Sequence, residues 1–259
     1  MIDSWVAAVA GGYLLGSIPV AVLVGRARGF DPRQVGDQNP GFWNMKDQLG
    51  WAGAVPVLAG DTLKGAAAGL LGLLLAHGIL GHAPPGGGAP GEVALVYVAV
   101  AAAMIGHAWP VFARLHGGRS VLTFAGGFAV ICPPAFGLGI ALCAGVALLT
   151  RSFAVGARTG VFAVPFLQLI FTPALEVAAT GALMSLIGAR FAMTALAARH
   201  RKGRRRPAAP IPARPPDARA NQPDGRPGAP PSQPAEPPAP DSGGPARTAP
   251  AESSRPSSG

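Results

Sequence analysis

Seven apolar stretches fill most of the chain: residues 4–25, 57–80, 92–113, 120–132, 134–150, 153–172 and 174–197. Nothing constrains the fold more. About 20 apolar residues in helical form match the hydrocarbon thickness of a bilayer. In lipid the backbone must satisfy its own hydrogen bonds, and a helix does so within one segment. The pattern therefore predicts an all-α integral membrane protein of about seven transmembrane helices. The fourth and fifth stretches are short and meet at Pro133-Pro134; they read as two tilted helices or as one broken helix. The first stretch contains Gly16-Ser-Ile-Pro19 and lacks a basic leader, so it is expected to be a retained helix rather than a cleaved signal.

Charge sets the expected orientation. Lys and Arg collect in cytoplasmic loops. Here they alternate with their absence at every break. Residues 26–50 carry Arg26, Arg28, Arg33 and Lys46; residues 81–91 carry none; 114–120 carry Arg114 and Arg119. The Pro133-Pro134 turn carries none, 151–158 carries Arg151 and Arg158, and the Thr172-Pro173 turn carries none. Seven spans with the N-terminus outside and the C-terminus in the cytoplasm fit this alternation.

Composition divides the chain at residue 198. Residues 1–198 hold 10 Lys/Arg and 7 Asp/Glu; residues 199–259 hold 11 and 5, with 16 of the 28 prolines. The first part is a polytopic membrane domain. The second is expected to be a disordered, basic, Pro-rich cytoplasmic tail, because Pro, Ala, Ser, Gly and Arg without aromatics bury too little surface to offset chain entropy. Its basic residues, starting at Arg199, are suited to anionic lipid headgroups. Without interleaved aromatics it does not read as a nucleic-acid binder. Cys132 and Cys143 both lie in apolar stretches and form no disulfide or metal pattern.

The three basic loops are expected to face one interface, where their polar residues can converge. The first loop offers Arg33, Asp37, Asn39, Asn44, Lys46 and Asp47, with Gly36 and Gly41 allowing tight turns. Pro56 suits the first turn of the second helix, which puts Asp61 near the N-terminal end and Lys64 one turn further in. That pair reads either as an ion pair fixing a helix end or as a positive charge facing a polar cavity. In the second loop, Gly117-Gly118-Arg119-Ser120 precedes a helix. Backbone N–H groups at a helix start attract anions, and an adjacent Arg adds a bidentate contact. A Gly-Gly sequence between helices is also simply a turn. His107 reads as a general base or as a buried interface histidine. His77 and His82 lie near the outer face. No His-x4-Asp, HExxH, GxSxG or Walker-type motif occurs.

Taken together, Gly16-Ser-Ile-Pro19, the 31–50 loop, Asp61-x-x-Lys-Gly65 and Gly106-His-x-x-Pro110 through Gly117-Gly-Arg-Ser-Val-x-Thr123 resemble the bacterial acyl-phosphate:glycerol-3-phosphate acyltransferases. The resemblance runs from about residue 10 to 200. It implies a seven-helix enzyme of phospholipid synthesis. Its substrates would be acyl phosphate and glycerol 3-phosphate, its product lysophosphatidic acid, with no cofactor or metal. It further implies catalytic roles for His107, Asn44 and Lys64. Substrate and phosphate contacts would come from Asn39, Gly41, Lys46, Gly117, Gly118, Arg119, Thr123 and His200.

The chain departs from the family's motifs at specific positions. Gly36, Asn39, Gly41 and Asn44 match the first motif, but Asp37 stands where the family has Ser, Trp43 where it has Thr, and Asp47 where it has Arg. In the second motif Arg119 replaces Lys and Ser120 replaces the following Gly. Of the third motif only His200-Arg201 aligns. An opposite charge within about 4 Å is worth several kcal/mol at an effective dielectric near 20. Two new carboxylates therefore oppose phosphate binding unless they pair or turn away. A catalytically degenerate relative that binds or regulates, or a small transporter using Asp61 and Lys64, are the other readings of the same residues.

Overall fold

The computed structural model describes residues 2–79 and 90–204, all within one unit, Met1–Pro207. Among them every regular element is helical: α1 (Ile2–Gly16), α2 (Val20–Ala27), α3 (Phe42–Ala76), α4 (Pro90–Ala108), a 3-10 turn (Val111–Ala113), α5 (Val121–Ile131), α6 (Pro133–Thr150), α7 (Phe153–Gln168) and α8 (Ala174–Arg204). Five segments are long and apolar enough to cross a bilayer: Ile2–Ala27, Phe42–Ala76, Val93–Ala113, Pro133–Thr150 and Ala174–Ala197. These spans make the chain a multi-pass membrane protein, helical throughout its described elements. α5, with 11 residues, and α7, with 16, are shorter than a straight crossing requires.

Large apolar side chains face outward along the spans. Leu148 and Leu149 on α6 are 80% and 86% exposed, and Phe162 and Phe166 on α7 are exposed as well. Such a surface suits lipid, not water. Inside, Tyr97, Val100 and Met104 of α4 pack with Phe124 and Phe128 of α5, Val164 of α7, and Leu183 and Ile187 of α8. Elsewhere small residues set the helix spacing. Ala8, Gly12 and Gly16 are buried on one face of α1 against Ala99 and Ala103 of α4. On α3, Gly65 lies so close to the Thr123 backbone carbonyl of α5 that no side chain fits at 65. Membrane helices associate through this kind of close backbone approach.

Two interruptions shape the interior. Ser17-Ile18-Pro19 separates α1 from α2, because Pro19 has no N–H with which to continue the ladder. The break leaves the Ile18 carbonyl available to a side chain. In α3, Gly50 sits at φ 66°, ψ −162°. That region is open essentially only to glycine, so the helix kinks there. α5 and α6 are two helices joined at Cys132, with prolines opening α6.

The start of the second apolar helix differs from the sequence reading. Helix α3 begins at Phe42, so Pro56 lies in its interior and Asp61 is 11 residues beyond the Gly50 kink. The polar residues 42–49, read as loop, are helical. Their apolar members Phe42 and Met45 are buried, which outweighs their low hydropathy. α8 likewise continues to Arg204, past the boundary drawn at 198. The His200 side chain and residues 205–259 lie outside the described residues, so the expectations for them do too.

Candidate active site

A buried cluster of charges lies between α3, α4 and the α1–α2 break. Lys64 and Asp61 form an ion pair of 2.9 Å, their side chains 4% and 2% exposed. The Lys64 ammonium also donates to the Ile18 carbonyl at 2.9 Å. Across from them, His107 Nδ1 in the last turn of α4 stands 3.6 Å from Asp61 Oδ1. That spacing is too long for a hydrogen bond. Asp61 Oδ2 and His107 Nδ1 are buried without a hydrogen-bond partner, while Asp61 Oδ1 is the oxygen held by Lys64. Ionisable groups buried within a membrane span are costly and mark function more often than architecture.

The cluster opens on a cavity of about 10 Å³, lined by Ile18, Pro40, Asp61, Lys64, His107, His116, Gly117 and Gly118 among others. The space is near the lower limit for one water. His107 holds the Gly117-Gly118 turn from one side: its carbonyl accepts the Gly118 N–H at 3.1 Å. Its Nε2 edge lies against Gly118, leaving no room for a Cβ there. From the other side comes Arg190 of α8. Its Nε donates to the Gly118 carbonyl at 3.2 Å and its Nη2 to the Gly117 carbonyl at 3.1 Å. The guanidinium stacks on Trp109, 4.8 Å from the ring centre. The turn is therefore clamped by α4 and α8 together.

Past the turn, Arg119 pairs with Asp37 at 3.1 Å and lies 4.6 Å from the centre of the Phe191 ring. A groove of about 430 Å³ runs alongside, lined by Gly36, Asp37, Gln38, Arg119, Phe191, Thr194 and Ala195. Ser120 follows at φ 64°, a left-handed conformation. Its hydroxyl donates to the Met104 carbonyl at 2.7 Å. The replacement of the family's Gly by Ser thus falls where the backbone conformation favours Gly.

Asn44 organises the first loop. Its amide donates to the carbonyls of Pro32, Val35 and Asn39 at 2.8, 3.2 and 3.1 Å. Asn39 sits in a turn closed by its N–H to Asp37 Oδ1 at 3.1 Å. Gly41 precedes the first residue of α3. Arg33 joins this loop to the next: it donates to the Ala113 carbonyl at 2.9 Å and grips Asp31 through Nε and Nη2. That guanidinium holds the Asp31 carboxyl down at about 2, and the carboxylate in turn raises Arg33 above its ordinary value.

Of the residues singled out in the sequence, His107, Lys64, Gly117 and Gly118 meet around one cavity, with Asp61 among them. Arg119 borders the neighbouring groove. Thr123 is fully buried in α5, and its hydroxyl lacks a partner. Lys46 is elsewhere: its ammonium lies over the Trp43 and Trp51 rings, 5.5 and 5.3 Å from their centres, in a cluster with Phe42 and Phe153. Asp47 is exposed. Arg190 was missed, although an arginine deep inside an apolar stretch is itself a signal.

The sequence model of the family described as glycerol-3-phosphate acyltransferase matches residues 6–209. The chain belongs to that family. A Rubrobacter xylanophilus protein named glycerol-3-phosphate acyltransferase is 40% identical over 160 residues, 61% of this chain and 73% of the relative. Glycerol-3-phosphate acyltransferase 2 of Moorella thermoacetica is 34% identical over 168 residues, 64% and 79%. Among solved structures, PlsY (YgiH), an integral membrane glycerol 3-phosphate acyltransferase in its glycerol 3-phosphate form, is 26% identical. Its TM-score is 0.59, covering 78% of this chain and 94% of that one. The chain thus shares its fold with an integral membrane member of that family.

Proposed function

We infer that this protein transfers an acyl group from acyl phosphate to the 1-hydroxyl of glycerol 3-phosphate, producing lysophosphatidic acid for phospholipid synthesis. The observation that carries the reading is the buried Asp61–Lys64–His107 cluster beneath the Gly117-Gly118 turn, with Arg119 beyond it, in a chain of this family. The hydroxyl oxygen attacks the acyl carbonyl carbon, the bond from that carbon to the phosphate oxygen breaks, and phosphate leaves with the electron pair. His107 is the candidate general base. Asp61 facing Nδ1 favours the tautomer with its proton there, which leaves the Nε2 lone pair to take the hydroxyl proton. Lys64 holds Asp61 in place, and Asn44 shapes the loop above. Arg119 is assigned to substrate phosphate, because its guanidinium can donate two parallel hydrogen bonds to an oxyanion. The activated donor makes a covalent acyl-enzyme unnecessary, so catalysis rests on positioning and charge stabilisation. The central cavity is too small for glycerol phosphate, so the loops at 31–41 and 110–119 must part to admit it.

The same reading places the protein in the bacterial cytoplasmic membrane, N-terminus outside and C-terminus inside, with α5 and α7 completing seven crossings. Residues 1–198 form the membrane domain, and the basic segment from 199 lies against anionic lipid. A second reading, a binding or regulatory relative without turnover, is favoured by one observation: Asp37 occupies the guanidinium that phosphate would need. Purified protein given acyl phosphate and glycerol 3-phosphate is expected to release phosphate and lysophosphatidic acid in equal amounts. If neither appears, the transferase reading is wrong and the second stands.

A further inference from the structure

We propose that Asp37 sets the affinity of the site: its carboxylate holds Arg119 in the substrate-free protein, and an incoming phosphate displaces it. The proposal rests on the assignment of Arg119 to phosphate made above. The pair is close, 3.1 Å, but open, with Asp37 43% and Arg119 22% exposed. Ion pairs of that exposure are weak and exchange readily. The pair also stands on the wall of the 430 Å³ groove, so a ligand arriving there meets both charges together.

Each partner keeps a support when the pair opens. Arg119 rests on the Phe191 ring, 4.6 Å from its centre, which leaves the guanidinium in place. Its Nη2, the atom that meets Asp37, is freed for an anion when the pair opens. Asp37 Oδ1 already accepts the Asn39 N–H at 3.1 Å, so the released carboxylate retains a bond inside its own turn. A phosphate carries more charge than a carboxylate and forms the same bidentate pair with arginine. Exchange therefore favours the phosphate while Asp37 weakens its net binding. The opposite role, a carboxylate accepting hydrogen bonds from the hydroxyls of glycerol phosphate, predicts the opposite sign.

The test is equilibrium titration of the full-length protein in detergent with glycerol 3-phosphate and, separately, inorganic phosphate. Asp37→Asn removes the charge and keeps an oxygen for the Asn39 N–H; Asp37→Ser is the second variant should the first not fold. Both anions are expected to bind about fivefold more tightly to either variant. The gain is expected to disappear when Arg119→Ala is added. Unchanged or weaker binding of both anions overturns the proposal. Weaker binding of glycerol 3-phosphate alone also overturns it and assigns Asp37 to the hydroxyls. These titrations do not depend on turnover, so a protein that fails the transferase assay still answers this question.

Discussion

Lys64 donates to the carbonyl oxygen of Ile18 at 2.9 Å, and so ties the centre of α3 to the break between α1 and α2. The same ammonium neutralises Asp61 at 2.9 Å. One side chain thus contacts a carbonyl at the α1–α2 break, which also accepts the Val20 N–H at 3.1 Å, and a carboxylate buried within a membrane span.

Removing Lys64 alone leaves that carboxylate without its cation. Breaking one side of a buried pair costs about 3–5 kcal/mol, more than removing both sides. Lys64→Met is therefore expected to lower the thermal stability of the detergent-solubilised protein sharply, and Lys64→Met with Asp61→Asn to recover part of the loss. A double variant as unstable as the sum of the two singles would show that the residues do not act as a pair.

Arg190 makes a prediction that separates charge from shape. Its fork reaches two adjacent carbonyls while its plane stacks on Trp109. Lysine keeps the charge but offers no planar fork. Arg190→Lys is expected to lower kcat/KM for acyl transfer at least tenfold, because small misplacements of a site cost rate steeply. It is also expected to change KM and kcat together. A variant with wild-type kinetics would remove the clamp from the account of the site.

Ser120 tests the strained entry to α5. A non-glycine residue in the left-handed region costs about 1–2 kcal/mol. Here a hydroxyl bond to the Met104 carbonyl offsets part of it. Ser120→Ala keeps the strain and loses the bond, so it is expected to destabilise. Ser120→Gly loses the bond and relieves the strain, so it is expected to be close to neutral. Melting curves of the three proteins, compared in one detergent, give the ranking; equal losses in both variants would locate the effect in the hydrogen bond alone.

How far the sequence revealed this arrangement depends on the residue. The apolar stretches fixed the helices well, since period and length are local properties. His107, Lys64 and the Gly117-Gly118 turn also stood out, because polar groups beside apolar segments need a reason to be there. Asp61 and Pro56 were misplaced along α3, because the helix starts in a polar segment whose buried face is supplied by the rest of the fold. Lys46 looked like a phosphate ligand by its position in a motif. Trp43 and Trp51 lie on either side of it in the chain, the second beyond the kink at Gly50, and both rings meet its ammonium. The Asp37–Arg119 pair joins loops 82 residues apart, counted from 37 to 119, and no local pattern encodes it.

The link between the first two basic loops depends on acidity. Asp31 is held at about 2 by Arg33, against 3.8 in the absence of that partner. A carboxyl whose value is depressed by folding adds stability above its unfolded value. It loses that stability as pH falls through the folded one. Solvent screening of this surface pair reduces the contribution to about 1 kcal/mol, present in full above about pH 5. Between about pH 4 and pH 2 the wild-type protein is therefore expected to lose stability relative to Asp31→Asn, whose side chain does not titrate. Above about pH 5 wild type is expected to be the more stable, because the charged carboxylate binds the Arg33 guanidinium more strongly than an amide oxygen does and so holds it against the Ala113 carbonyl. Thermal melts of both proteins from pH 7 down to pH 2 decide the matter: parallel curves across that window would show that the Asp31–Arg33 bridge does not contribute to holding the loops together.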